Sequence, residues 1–374
     1  LFALCLLLHL IVVNCIATTN RTEVFRQVGK LASLSSGILI NCQNRIIQSR
    51  ILQLIQQKAA GIDIQPFEEH AYEFGGCEYL LVAGRGGGLR LLLGLPQLEG
   101  SFQQQVLGPD VMEAVAAAFR GVATVSQPST APAAAAAAEG DQQQQAQQQQ
   151  GRYQVALDVD LALLCRLSGG QREGWSRSLA SLRLLLAGHP LRQVFRALEA
   201  GSLSAGPPVV CCNTPGQVYI IRPVSPDCVA LVFPLRFTSR QDCAIGVACM
   251  QEFVEARRGA SLGRAPSCNY LVREVPRELA GVDLSSLLGS AGGGSGGGHS
   301  GGYLVFSLTR RHVAGPQMEG VVWSLATLHQ FIAYHVKATK AMMHSRMRRR
   351  VAAMTDLLGA ATPLAGATAA AAAG

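Results

Sequence analysis

The residue types that most often do chemistry come first. Gly293-Gly294-Ser295-Gly296-Gly297 spells G-x-S-x-G, the pattern in which a strained strand-to-helix turn exposes a serine nucleophile. Here it lies inside a glycine run with no strand before it and no helix after it, so it reads as linker. Gly84-Arg85-Gly86-Gly87-Gly88 is glycine-rich enough to cradle a phosphate on backbone N–H groups. Leu89, however, takes the third fingerprint position and no Lys-Ser or Lys-Thr follows, so a hairpin turn is expected instead. His329, His335 and His344 stand six and nine residues apart, whereas two imidazoles on one helix reach a common metal at i, i+3 or i, i+4. The 11 cysteines are odd in number and include no C-x-x-C pair, which argues against both a disulfide framework and a clipped zinc site. They are read as buried reduced thiols in a reducing compartment. No catalytic residue, cofactor site or metal ligand is expected, and the chain is not expected to be an enzyme.

What remains is charge. The chain carries 32 basic and 24 acidic residues, a net charge of +8, and such an excess favours an acidic partner. Between Glu319 and Asp356 there is no acid, while Lys337, Lys340, Arg346, Arg348, Arg349 and Arg350 supply six positive charges. The plain alternative is a solvated helix face. At 100° per residue Val321, Leu325, Leu328, Ile332, Thr339 and Met343 fall within about 40° of one azimuth. Lys337, Lys340 and Arg348 point away from that stripe, but Arg346 and Arg350 fall back onto it. Burying that pair would be costly, so beyond Met343 the helix is expected to have left its own core and to face water or an acidic partner.

The elements that must hold this helix can be read along the 374 residues, of which 49% are hydrophobic and only 15% charged. Residues 1–18 are apolar enough to resemble a signal-peptide core or marginal anchor, yet no basic segment precedes them, and they are read as an incidental extension. A helix is expected from the periodicity of Ile46, Ile47, Ile51, Leu54 and Ile55. Strands are expected at 72–74, 78–83 and 89–93, and a helix from Gly108 to Arg120. The Ala- and Gln-rich stretch 123–151 lacks the large apolar groups that would offset ordering entropy. After a strand at 153–157, a helical run from Trp175 to Leu198 is expected to break near Pro190. Short strand-like segments at 209–212, 218–222, 228–237 and 245–256 suggest an antiparallel meander, with another strand at 303–309. From Gln317 to about Leu358 one helix is expected, far longer than the usual 8 to 20 residues.

Several long strings resemble a known family. VACMQEFVEARR at 247–258, LVREVPREL at 271–279, GYLVFSLTRRH at 302–312 and HQFIAYHVKATKAMMHSRMRRR at 329–350 are similar to subunit 2 of the actin-related protein 2/3 complex, the 34-kDa subunit family, and NRII at 44–47 resembles the start of that family's chain. The resemblance implies an α+β fold: two successive similar modules with largely antiparallel sheets and packed helices, followed by one long C-terminal helix. On this basis the chain divides into an extension at 1–36, a first module at 37–205 with the insert 123–151, a second at 206–315 with a Gly/Ser-rich loop at 288–302, the helix at 316–358 and an Ala-rich tail at 359–374. It further implies a structural, actin-binding role in the cytoplasm and cytoskeleton: pairing with subunit 4, formation of the complex core, and contact with the mother filament during nucleation of a branch. Neither nucleic acid nor a small-molecule ligand is implied. Carried over by position, MQEFVEARR supplies Glu252, Phe253, Arg257 and Arg258. HVKATKAMMHSRMRRR supplies Lys337, Lys340, His344, Arg346, Arg348, Arg349 and Arg350, facing actin or subunit 4. A membrane-surface or nucleic-acid-binding protein using the same basic helix is the alternative.

Overall fold

The structure, a computed structural model, describes residues 43–73, 75–84, 88–98, 101–126, 152–257, 265–283 and 298–360. Helix α1 (Arg45–Ala59) starts where the Asn44 side chain accepts from the Ile47 N–H at 3.1 Å, and it buries Ile47, Ile51, Leu54 and Ile55 along one face. Strands β1 (Phe67–Glu73), β2 (Cys77–Ala83) and β3 (Leu89–Gly94) follow, then α2 (Ser101–Leu107), α3 (Pro109–Ala118), β4 (Ala123–Ser126) and β5 (Val155–Val159). Four helices succeed them: α4 (Leu161–Arg166), α5 (Gly169–Leu179), α6 (Leu182–Ala187) and α7 (His189–Ala200).

The second half repeats the plan. It comprises β6 (Val209–Thr214), β7 (Gln217–Ser225), β8 (Cys228–Phe237), α8 (Arg240–Arg257), β9 (Ser267–Leu271), β10 (His299–Thr309), α9 (Arg310–Val313), α10 (Met318–Ala326) and α11 (Leu328–Ala360). The two sheets have the same strand order, β1-β2-β3-β5-β4 and β6-β7-β8-β10-β9, and every pairing is antiparallel. The α+β class with two similar sheets and a long final helix is therefore what the chain forms.

Each sheet turns one face onto helices. The first core joins α1, α3, α4, α5 and α6 to residues such as Tyr79, Leu81, Leu91 and Leu157. The second joins α7, α8, α10 and α11 to Tyr219, Leu231, Phe233 and Phe306. Phe233 sits at the centre of that core, stacked on Tyr219 and edge-on to Phe306. Leu191, Phe195 and Leu198 of α7 are buried in this second core although they precede β6, so the first half of the chain lends a helix to the second sheet.

Several expectations need correction. Residues 245–256 are helical, inside α8: Ile245, Cys249, Met250, Phe253 and Val254 recur at helical spacing and pack on the second core. The Trp175–Leu198 run is three helices, and Pro190 opens the last of them, where its missing N–H costs nothing. Ala123–Ser126 pair with β5 as β4, and residues 299–302 belong to β10, so neither the Ala/Gln insert nor the Gly/Ser loop begins or ends where composition suggests. The final helix begins at Leu328, after a break at Thr327, whose hydroxyl donates to the Trp323 carbonyl at 2.8 Å. The Gly84–Gly88 segment joins the paired strands β2 and β3, as a hairpin turn should. Residues 1–36, the body of the Ala/Gln insert, the Gly293–Gly297 motif, Arg258 and the tail beyond Ala360 lie outside the described residues.

Candidate partner interface on the final helix

The root of α11 is core. Leu328, Phe331, Ile332, His335, Val336 and Thr339 are buried against the second sheet and α8. His329 lies edge-on to Phe233 with ring centroids 5.4 Å apart, and its Nε2–H donates to the Pro234 carbonyl at 3.1 Å. Burial pushes this imidazole down to about 4, against the opposing pull of the carbonyl. His329, His335 and His344 do not converge, and among the described residues no cluster of His, Cys, Asp and Glu could hold a metal. His329 and His335 are core side chains instead.

One turn further out stands an ion pair the sequence did not disclose. Lys340 Nζ lies 2.9 Å from Asp242 Oδ1 at the start of α8, with both side chains partly sheltered. Lys340 donates, and its hydrogen bond above all holds the Asp242 carboxyl below the usual carboxylate range. The Ser239 hydroxyl caps the same turn, accepting from the Asp242 N–H at 3.0 Å. Lys340 points away from the apolar stripe but is occupied within the chain by Asp242, so it is not a free member of the basic surface. The only sequence signal would have been Asp242, an acid three residues before the segment 245–256 that read as a strand.

Beyond Thr339 the helix leaves the core, earlier than the expected Met343. Met343 is 44% exposed, Met347 61%, Val351 63%, Met354 65% and Leu358 67%. On a helical projection these five side chains share an arc of about 80°, centred roughly 90° from the buried stripe of the helix root. Lys337, His344, Arg348, Arg349 and Arg350 are exposed around this arc and Arg346 is half-buried. Phe253, singled out with the α8 string, is buried edge-on to Phe306 at 6.2 Å. Arg257 ends α8, with its side chain outside the described residues.

Such a surface suits docking. It is a helix of 33 residues whose outer half presents an apolar seam edged by arginines and whose inner half is anchored in a folded module. The chain is an α+β protein of two similar antiparallel sheets with a long final helix. A family model described as "Arp2/3 complex, 34 kD subunit p34-Arc" matches residues 132–365, more than half of the sequence, and the chain belongs to that family. Among curated relatives, subunit 2A of the actin-related protein 2/3 complex from Arabidopsis thaliana is 35% identical over 188 residues, covering 50% of this chain and 55% of that protein. Subunit 2 from Dictyostelium discoideum is 26% identical over 207 residues, covering 55% and 65%. Subunit 2 from Schizosaccharomyces pombe is 31% identical over 140 residues, covering 37% and 40%. The chain therefore spans roughly half the length of the curated relatives it matches.

Proposed function

We propose that this chain is a structural, non-enzymatic subunit of an actin-related protein 2/3 complex, that the outer half of α11 pairs with subunit 4, and that its basic residues meet the mother filament. The observation that carries the reading is the exposed seam Met343, Met347, Val351, Met354 and Leu358. Five large apolar side chains in one arc of a helix leave water only when another element covers them, and a helix laid alongside would cover the whole arc. Lys337, His344, Arg346, Arg348, Arg349 and Arg350 would then flank or face away from the covered seam, where an acidic filament surface is reachable. Arg257 and Arg258 follow from the family strings alone and extend the same basic surface. Site of action in the cytoplasm and cytoskeleton follows from this role.

Co-expression with subunit 4 tests the pairing. Met347→Asp with Val351→Asp is expected to abolish co-purification while the chain alone keeps its circular dichroism and melting point; unchanged co-purification would rule the seam out as the pairing surface. Filament co-sedimentation of the reconstituted complex tests the basic face. Reversal of Lys337, Arg348 and Arg349 to Glu is expected to weaken side-binding by ten- to a hundredfold, since each exposed pair is worth up to about 1 kcal/mol. Vesicles containing anionic lipid serve as the competing arm, because a basic helix with an apolar seam is also the pattern of a membrane-surface segment. Among the described residues no helix is long and apolar enough to cross a membrane.

A further inference from the structure

The two modules meet at a buried side chain that neither the sequence patterns nor the family strings single out. Arg183, the second residue of α6, is only 4% exposed along its side chain. Its Nη1 lies 2.9 Å from Glu73 Oε2 at the end of β1, and its Nη2 donates to Gln330 Oε1 on α11 at 2.6 Å. Gln330 in turn donates from Nε2 to Thr214 Oγ1 on β6 at 2.8 Å. The guanidinium also lies over the Trp323 ring of α10, 5.5 Å from its centroid. On the first-module side the backbone N–H of Arg183 donates to the Tyr79 hydroxyl at 2.9 Å. Gly75, in the turn between β1 and β2, has φ +99, and a Cβ there would stand 2.4 Å from Gln330 Nε2. A glycine is what lets the hairpin backbone close on this glutamine.

We infer that Arg183 is the positioning residue that sets the angle between the first module and the unit formed by the second sheet and α11. Its planar fork reaches a carboxylate of one module and an amide of the other at once, which a lysine ammonium cannot do with the same geometry. Burial makes the arrangement strict, since an ionised group out of water must keep its partners. Other ties flank it: Gln105 Nε2 donates to the Val210 carbonyl at 2.7 Å, joining α2 to β6, and α7 packs in the second core with Arg192 forked onto Glu319. The network around Arg183 adds a buried, directional link from β1 through α6 to α11. From Gln330 to Leu358 the helix runs about 42 Å, so a tilt of roughly 10° at the root displaces the tip by about 7 Å relative to the first module. This inference concerns the geometry of the chain itself and does not rest on the identity of the partner.

The experiment uses the full chain with pairs of fluorophores on non-canonical amino acids. One pair joins exposed Lys58 on α1 to exposed Thr355 on α11, and the control pair joins exposed Val224 near the end of β7 to Thr355. Arg183→Met and, separately, Gln330→Met are expected to shift or broaden the 58–355 distance by at least 5 Å, on the order of the lever displacement above, while the 224–355 distance stays as in wild type. Gln330→Met removes the hydrogen bond from Arg183 to α11 but leaves the pair between Arg183 and Glu73 and the contact with Trp323 intact, so it decides the question if Arg183→Met fails to fold. Wild-type values for both distances in a folded variant lacking these links would overturn the inference and reduce Arg183 to a packed core residue.

Discussion

Residues in this molecule are tuned mainly by burial, and burial makes their behaviour testable. The Cys77 thiol is pushed up to about 11 and the Cys211 thiol to about 12, in both cases first by loss of water. Thiolate is the reactive form, so both should resist alkylation at pH 8 in the native chain and react only on unfolding, as mass spectrometry of iodoacetamide-treated protein would show; rapid native labelling of either would contradict the buried placement. His329 gives a pH dependence with a definite sign. Its folded pKa near 4 lies below the ordinary 6.5, so the unfolded chain takes up a proton first as pH falls. Stability should be complete above pH 6.5 and drop by up to about 1.4 kcal/mol per unit between 6.5 and 4. His329→Phe should flatten that slope in urea titrations at several pH values. The Lys340 and Asp242 pair is smaller in effect: Lys340→Ala should cost about 0.5 to 1 kcal/mol, a shift in urea midpoint without change in slope.

At the scale of elements, α11 is two helices in one. Its root is fastened by the buried stripe from Leu328 to Thr339, its outer half leaves Met343, Met347, Val351, Met354 and Leu358 exposed, and the two apolar arcs point in directions about 90° apart. A helix of exposed charged turns is marginal alone. In the isolated chain, amide exchange should therefore be slow from residue 328 to 339 and fast from 345 to 358, and should slow over 345 to 358 once subunit 4 is bound. Equal protection in the free and mixed samples would argue that the partner lies elsewhere. The break at Thr327 belongs to the same scale. On either side of it Trp323 of α10 and Phe331 of α11 both pack into the second core.

At the scale of the whole molecule, the two modules are interlocked by packing and polar contacts. α7 fills the second core from the first half of the chain, and Arg192 of that helix holds Glu319 of α10 in a fork at 2.7 Å for each arm. Arg183 and Gln105 bridge the modules directly. Thermal unfolding should accordingly show one transition by calorimetry. Separating into two transitions is expected only when the bridges are cut, as in Gln105→Ala combined with Gln330→Met.

Local physics determined much of this protein from its sequence. Helices α1 and α3, strands β2, β3, β7 and β8 and the basic character of α11 were legible because period, turn glycines and charge are properties of neighbouring residues. The long strings from 247 to 350 carried the family. Other features were decided only by the tertiary structure. Residues 245–256 are β-branched and aromatic enough to read as a strand, yet a sheet on one side and α11 on the other select the helix. Charge alone could not separate Lys340, held by Asp242 from 98 positions away, from Arg348 and Arg349 in water. Nor does any pattern foretell that Arg183 meets Glu73 and Gln330, 110 and 147 positions distant. A buried polar group is placed by the partners that repay its desolvation, and those partners are brought together by the fold and not by the order of the chain.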